Sequence, residues 1–187
     1  MTSSDKPAVP DCAVFVGVSL DGFIARPNGD LDWLMGDGGG DSAEYGYKEF
    51  IAGIDAIVMG RRTFEKVLTF DKWYYGTQRV VVLTNAELDL SVAQARGGVV
   101  ERMAGPPAEI VSRLGDSGAR HLYIDGGITI QEFLRAGLIH RLIISRLPVL
   151  IGNGIPLFGS VPQDIRLRHI ATRTYPGGMV QSEYHAW

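Results

Sequence analysis

The sequence predicts an α/β domain with a mostly parallel central sheet, helices on both faces and an antiparallel hairpin at the C-terminal end. Three observations predict it. Short β-rich apolar runs alternate with stretches of helical periodicity, the pattern of successive βαβ units. Two of these runs end in glycine and open straight into a helix-like pattern. They are Ile57-Val58-Met59-Gly60-Arg61-Arg62-Thr63-Phe64-Glu65 and Leu122-Tyr123-Ile124-Asp125-Gly126-Gly127-Ile128-Thr129. The last two extended runs flank Pro176-Gly177-Gly178, a turn sequence suited to joining antiparallel strands.

Taken in order, residues 1–11 are rich in Ser, Asp and Pro and read as a mobile N-terminal tail, with a single domain over 12–187. Residues 13–19 (Ala-Val-Phe-Val-Gly-Val-Ser) form a buried strand. Residues 20–42 carry Asp-Gly, Pro-Asn-Gly and a glycine run at Gly36–Gly40 broken by Asp37, so they read as one long functional loop, a mobile lid. Tyr47, Phe50, Ile51 and Ile54 recur at helical spacing, which predicts an amphipathic helix over 43–53. Strands at 56–59, 79–84 and 99–102 follow, with a short helix at 62–68. Residues 106–114 are helical, with proline in the first turn, where its missing N–H costs nothing. A strand at 121–124 leads to a helix at 129–136 that Gly137 stops. A strand at 141–147, a Gly/Pro-rich loop at 150–158 and a hairpin from 165–175 and 179–187 complete the chain.

Bulk properties narrow the function classes. At 187 residues, 45% apolar and 21% charged, the chain is one ordinary globular domain. A net charge of −3 without any Lys/Arg run argues against a nucleic-acid partner. Nothing approaches the length of a membrane helix, and no basic start precedes an apolar core at the N-terminus, so a cytoplasmic location is expected. Cys12 is the sole cysteine and opens a buried strand, so it reads as a small hydrophobe. The four histidines show no metal-ligand spacing, and no metal is expected.

The chemistry lies in the two glycine corners. A strand that feeds a helix through glycine leaves the first helical N–H groups unpaired, at the positive end of the helix dipole. Two such corners point to a ligand with several phosphates, and Arg61 and Arg62 stand where they could add charge-assisted bonds. Three acids compete to orient a substrate or relay a proton. Asp21 sits in the Ser19-Leu20-Asp21-Gly22 turn beyond the first strand, where a turn former would also be expected. Glu44 shares a helix face with Tyr47 and Ile51, so Glu44 and Tyr47 point toward the covered side. A charge favouring the helix N-terminus explains Glu44 equally. Asp32 reads as a turn former. Trp33 is a candidate flat wall over a bound ring, with a place as a satellite core residue as the alternative.

These pieces resemble the dihydrofolate reductase superfamily, and most closely the branch typified by the reductase domain of bacterial riboflavin biosynthesis and its stand-alone relatives. The resemblance rests on Ser19-Leu20-Asp21-Gly22-Phe23-Ile24-Ala25, Asp32-Trp33, Met59-Gly60-Arg61-Arg62-Thr63-Phe64-Glu65, Val82-Leu83-Thr84 and Ile124-Asp125-Gly126-Gly127. It extends through Gly137-Leu138-Ile139-His140-Arg141-Leu142 and Pro148-Val149-Leu150-Ile151-Gly152-Asn153-Gly154-Ile155-Pro156-Leu157-Phe158. It implies NADPH as cofactor. Gly60, Arg61 and Thr63 would hold its pyrophosphate and adenosine side, and Leu83, Thr84 and Asn85 would border the adenosine. Gly126 and Gly127, joined by a cis peptide, would lie against the nicotinamide side, with Ile128 and Thr129 starting the helix beneath. Arg61 beside the expected 2′-phosphate would favour NADP over NAD. The implied activity is NADPH-dependent reduction of a small pteridine- or pyrimidine-like heterocycle. The alternatives are the 5-amino-6-(5-phosphoribosylamino)uracil reductase of riboflavin biosynthesis, or an NADP-binding protein without turnover. Where that riboflavin enzyme carries extra polar and basic residues, this chain has Leu31-Asp32-Trp33-Leu34-Met35 and Phe64-Glu65-Lys66-Val67. The apolar 142–158 segment and the terminal hairpin offer edge surface, so a homodimer is expected.

Overall fold

The computed structural model describes residues 9–34 and 45–187. Its first half runs β1 (Asp11–Val18), β2 (Phe23–Ala25), α1 (Tyr47–Ala52), β3 (Ala56–Gly60), α2 (Arg61–Leu68), β4 (Arg79–Leu83), α3 (Ser91–Ala95) and β5 (Val99–Met103). The second half runs α4 (Pro107–Asp116), β6 (His121–Asp125), α5 (Gly127–Arg135), β7 (Ile139–Arg146), β8 (Ile155–Pro156), β9 (Leu167–Thr174) and β10 (Val180–Ala186).

The main sheet has the order β5-β4-β3-β6-β1-β7-β10-β9. From β5 to β7 every neighbouring pair is parallel, and β10 and β9 then add antiparallel. Alternation along each strand sorts the apolar side chains into two cores. Cys12 and Val14 of β1, Val58 of β3, Leu122 and Ile124 of β6, and Leu142 and Ile144 of β7 pack on one face with α4 and α5, through Ile110, Leu114, Ile130 and Phe133. Ala13, Ile57, Met59, Tyr123 and Ile143 pack on the other face with Phe50 of α1, Phe64 of α2 and Ala93 of α3. The predicted architecture, with helices on both faces and a terminal antiparallel hairpin, is what the chain adopts.

Several differences from the sequence reading are instructive. The long 20–42 stretch is not all loop: β2 lies within it and pairs antiparallel with β8, itself inside the apolar 150–158 segment. A strand of two or three residues carries too little periodicity to be seen in sequence. The described part of this stretch is also pinned by ion pairs, Arg26 to Asp32 at 2.7 Å and Lys66 to Asp30 at 2.7 Å. The glycine run Gly36–Gly40 expected to form the lid lies outside the described residues. Helix α3 was missed because Ala93 alone marks its buried face. Asp11 belongs to β1, where it pairs with His121, and not to a tail. Helix α5 ends as predicted: Gly137 adopts φ +66°, and the Gly137 and Leu138 amides bond back to Leu134 and Phe133.

Candidate active site

The parallel strands bring their C-terminal ends to one rim of the sheet, where ligands bind in folds of this type. Met59 of β3 is in register with Asp125 of β6, and Gly60 with Leu83 of β4. The two glycine corners, more than sixty residues apart in sequence, are therefore side by side, with Leu83, Thr84 and Asn85 next along the rim.

The corners are built against each other. A Cβ placed on Gly126 would run into the Thr63 hydroxyl of α2, and one on Gly60 would stand 3.0 Å from the Thr129 hydroxyl of α5. A Cβ on Gly127 would meet Ile24 at 2.8 Å and Ile155 at 3.1 Å, so the β2–β8 ribbon closes over this corner. Each glycine makes room for a threonine or a hydrophobe from a neighbouring element. Neither α2 nor α5 has a side chain capping its N-terminus. The two helix starts thus present main-chain donors and positive dipole ends to a common rim. The cis peptide implied for Gly126–Gly127 is not found: among the described residues every peptide is trans. The chain makes the corner instead by placing Gly126 at φ +87° and ψ 136°, a conformation open to glycine.

Cationic groups flank the rim at the β4 side. Arg61 Nε bonds Glu65 at 2.6 Å, and its guanidinium reaches the Glu87 carbonyl at 3.4 Å. Arg102 of β5, which the sequence reading did not single out, donates to the Asn85 and Ala86 carbonyls at 3.4 and 3.1 Å. Thr84 Oγ1 accepts the Ala86 amide at 3.2 Å and shapes the same turn. Arg62 is exposed, and so is Ile128 in the first turn of α5.

The candidate acids are distributed differently. Glu44 lies outside the described residues. Asp21 is at the rim, but its carboxylate accepts the Gly152 amide at 2.8 Å and the Ile151 amide at 3.2 Å, tying the turn after β1 to the 147–158 loop. A hydrogen bond from Ser19 and those amides hold its carboxyl below the usual range. Asp32 is held by Arg26 through two bonds. Trp33 is buried, and its indole Nε1 is a buried donor with no partner among the described residues.

The half-buried carboxyl on the rim is Asp125. Its Oδ1 accepts the Gly126 amide at 2.8 Å and its Oδ2 accepts the Tyr75 hydroxyl at 3.1 Å. Tyr123 of β6 hydrogen-bonds the same group, and Tyr47 of α1 lies in the same aromatic cluster. Burial pushes the Asp125 carboxyl above the ordinary carboxylate range, against the opposing pull of the Tyr75, Gly126 and Tyr123 hydrogen bonds. The sequence reading quoted Asp125 only as part of a glycine motif. The one available signal was its place as the last strand residue before a glycine corner.

The model of the family described as the RibD C-terminal domain matches residues 10–181. The chain belongs to that family. Membership makes it an oxidoreductase with the dihydrofolate reductase-like fold. Among its relatives, protein YwjB of Bacillus subtilis is 32% identical, over 91% of this chain and 95% of the relative. A putative riboflavin biosynthesis protein from Shewanella sp. PV-4 is 34% identical, with a TM-score of 0.84 over 95% of this chain and 99% of that one. The dihydrofolate reductase of Enterococcus faecalis, solved with NADP(H), shares the fold at a TM-score of 0.61 and 15% identity, over 94% of this chain and 96% of that one.

Proposed function

We propose that this RibD C-terminal domain protein reduces a small pyrimidine- or pteridine-like heterocycle with NADPH. The observation that carries the reading is the interlocked pair of corners, in which Thr63 fills the place of a Gly126 side chain and Thr129 faces Gly60. This leaves two uncapped helix starts on one rim, a donor set suited to a dinucleotide pyrophosphate. Gly60, Thr63 and the 126–129 corner would hold the pyrophosphate. Leu83, Thr84 and Asn85 would border the adenosine, and Arg61, Arg62 and Arg102 would offer charge to a phosphate on its ribose. When bound, the cofactor supplies the hydride. The chain's own part is to orient the acceptor and deliver a proton.

Asp125 is the group we assign to the proton. It is half-buried at the rim, and desolvation keeps it protonated to higher pH than an exposed carboxyl. Asp21 is spent on main-chain amides and serves as a loop clamp. Trp33, whose buried indole donor has no partner among the described residues, and Tyr47 are the candidates for contact with the heterocycle. Family membership supports a pyrimidine acceptor, including the riboflavin-pathway substrate, and a cytoplasmic location belongs to the same reading.

Thermal melts with NADPH, NADH or neither test the cofactor. At a hundredfold excess over Kd, a ligand specific to the folded chain stabilises by about 2.7 kcal/mol. For a domain of this size that is a rise of roughly 5–10 °C. NADPH is expected to give the larger rise, and Arg61→Ala to shrink the difference from NADH. No rise with either nucleotide would overturn the assignment. NADPH oxidation with a panel of pterins and flavin precursors then tests turnover, with Asp125→Asn expected to lower kcat by about 100-fold or more.

We infer further that the protein is a homodimer through its hairpin edge. Every residue of β9 except Ala171 is exposed, no helix among the described residues covers this end of the sheet, and Leu167 and Ile170 stand open there. Next to it lies an apolar cavity of about 390 Å³ lined by Leu134, Leu142, Phe158, Val161 and Ile165.

A further inference from the structure

We propose that Tyr75 is a positioning residue, which fixes the Asp125 carboxyl at the rim from the loop between α2 and β4 and tunes how tightly that carboxyl holds its proton. The inference rests on the reading of Asp125 as the acid of the site. The stretch Phe70-Asp71-Lys72-Trp73-Tyr74-Tyr75-Gly76 carries no motif in sequence. In the fold it is an aromatic brace. The Trp73 ring packs edge-on against Phe64 at 6.3 Å and against Tyr75 at 5.4 Å. Its Nε1 donates to the Gly76 carbonyl at 3.1 Å. A Cβ on Gly98 would stand 2.9 Å from the same indole, so the ring is wedged from behind as well. Trp73 thereby aims the next ring but one across the sheet face, and the Tyr75 hydroxyl arrives 3.1 Å from Asp125 Oδ2.

The donors and acceptors around Asp125 can be counted. Oδ1 takes the Gly126 amide and Oδ2 takes the Tyr75 hydroxyl. Tyr123 also faces the carboxyl, but its own proton goes to the Phe15 carbonyl at 2.9 Å. Tyr47 of α1 stands near by, and burial together with the charge of Asp125 pushes its hydroxyl up. Among the described residues no Lys, Arg or His contributes to the titration of Asp125. Of the three tyrosines, Tyr75 is the one whose hydroxyl proton is directed at the carboxyl. It stabilises the ionised form, while burial favours the neutral one. Removing it leaves the balance on the side of the neutral acid.

The test uses the full chain labelled with ¹³C at the aspartate carboxyl, the Asp125 resonance being assigned by its loss in Asp125→Asn. The expected wild-type midpoint lies above the ordinary carboxylate range, and Tyr75→Phe is expected to raise it by about one pH unit. The Asp21 and Asp55 midpoints, on other elements, should not move. An unchanged or lowered Asp125 midpoint in Tyr75→Phe would overturn the proposal. So would an ordinary wild-type midpoint. A second measurement needs no substitution at Tyr75: its phenolic carbon resonance in the wild type should shift through the Asp125 midpoint, and the absence of that shift also overturns the proposal. NADPH oxidation by Asp125→Asn with the pterin and flavin-precursor panel separates the two ideas. A fully active Asp125→Asn defeats the role of Asp125 in turnover, whereas the titrations report on Tyr75 directly.

Discussion

Asp21 and Asp125 show how one residue type acquires opposite properties from its surroundings. Asp21 is exposed and collects hydrogen bonds from Ser19 and from the Ile151 and Gly152 amides, so its carboxyl is held low. Asp125 is half-buried among tyrosines, and desolvation pushes it up. The stability consequence for Asp21 follows from linkage: a carboxyl depressed in the folded chain contributes stability above its unfolded pKa and loses it as pH falls through the folded one. Asp21→Asn is therefore expected to lower Tm at pH 6–8, and the gap from wild type should close below about pH 4. A gap that persists in acid would show that the side chain acts through packing. Cys12 needs no functional account. Burial, helped by the charge of Asp11, pushes its thiol up to about 12, far from the reactive thiolate range.

At the scale of elements, the decisive feature is the mutual accommodation of β3–α2 and β6–α5. Each corner is small because the other corner's threonine needs the space. Gly126→Ala meets two penalties, a φ of +87° and a collision with the Thr63 hydroxyl. It is expected to cost about 1–3 kcal/mol. A double-mutant cycle with Thr63→Ala separates them: relief of the collision should return part of the loss, and the backbone penalty should remain. Additive losses in thermal or denaturant unfolding would mean that the two corners do not touch as described. Both corners were legible in sequence because glycine after an apolar run is a local signal. The β2–β8 ribbon that closes over Gly127 was not, since its pairing joins segments about 130 residues apart and neither has a pattern of its own.

For the whole molecule, the sheet has one well-covered half and one open end. Helices sandwich β5 through β7, while β10 and β9 extend beyond them with apolar residues exposed on the last strand. Light scattering at micromolar concentration is expected to give twice the chain mass, and Ile170→Lys on β9 to give the monomer. A wild-type monomer would remove the dimer from the functional picture, and the rim at the other side of the sheet would stand unaffected.

What the sequence by itself determined is everything that depends on neighbours along the chain. The longer strands, most of the helices, the glycine corners and the arginines of the first corner are written in local periodicity and backbone freedom. The tertiary structure alone decided which acid is set among the tyrosines at the rim. Asp125 and Tyr75 are separated by 50 residues and meet because Trp73 wedges one loop across the sheet face. Desolvation and hydrogen-bond geometry arise only where distant segments pack, so no spacing rule could have ranked Asp125 above Asp21 or Glu44.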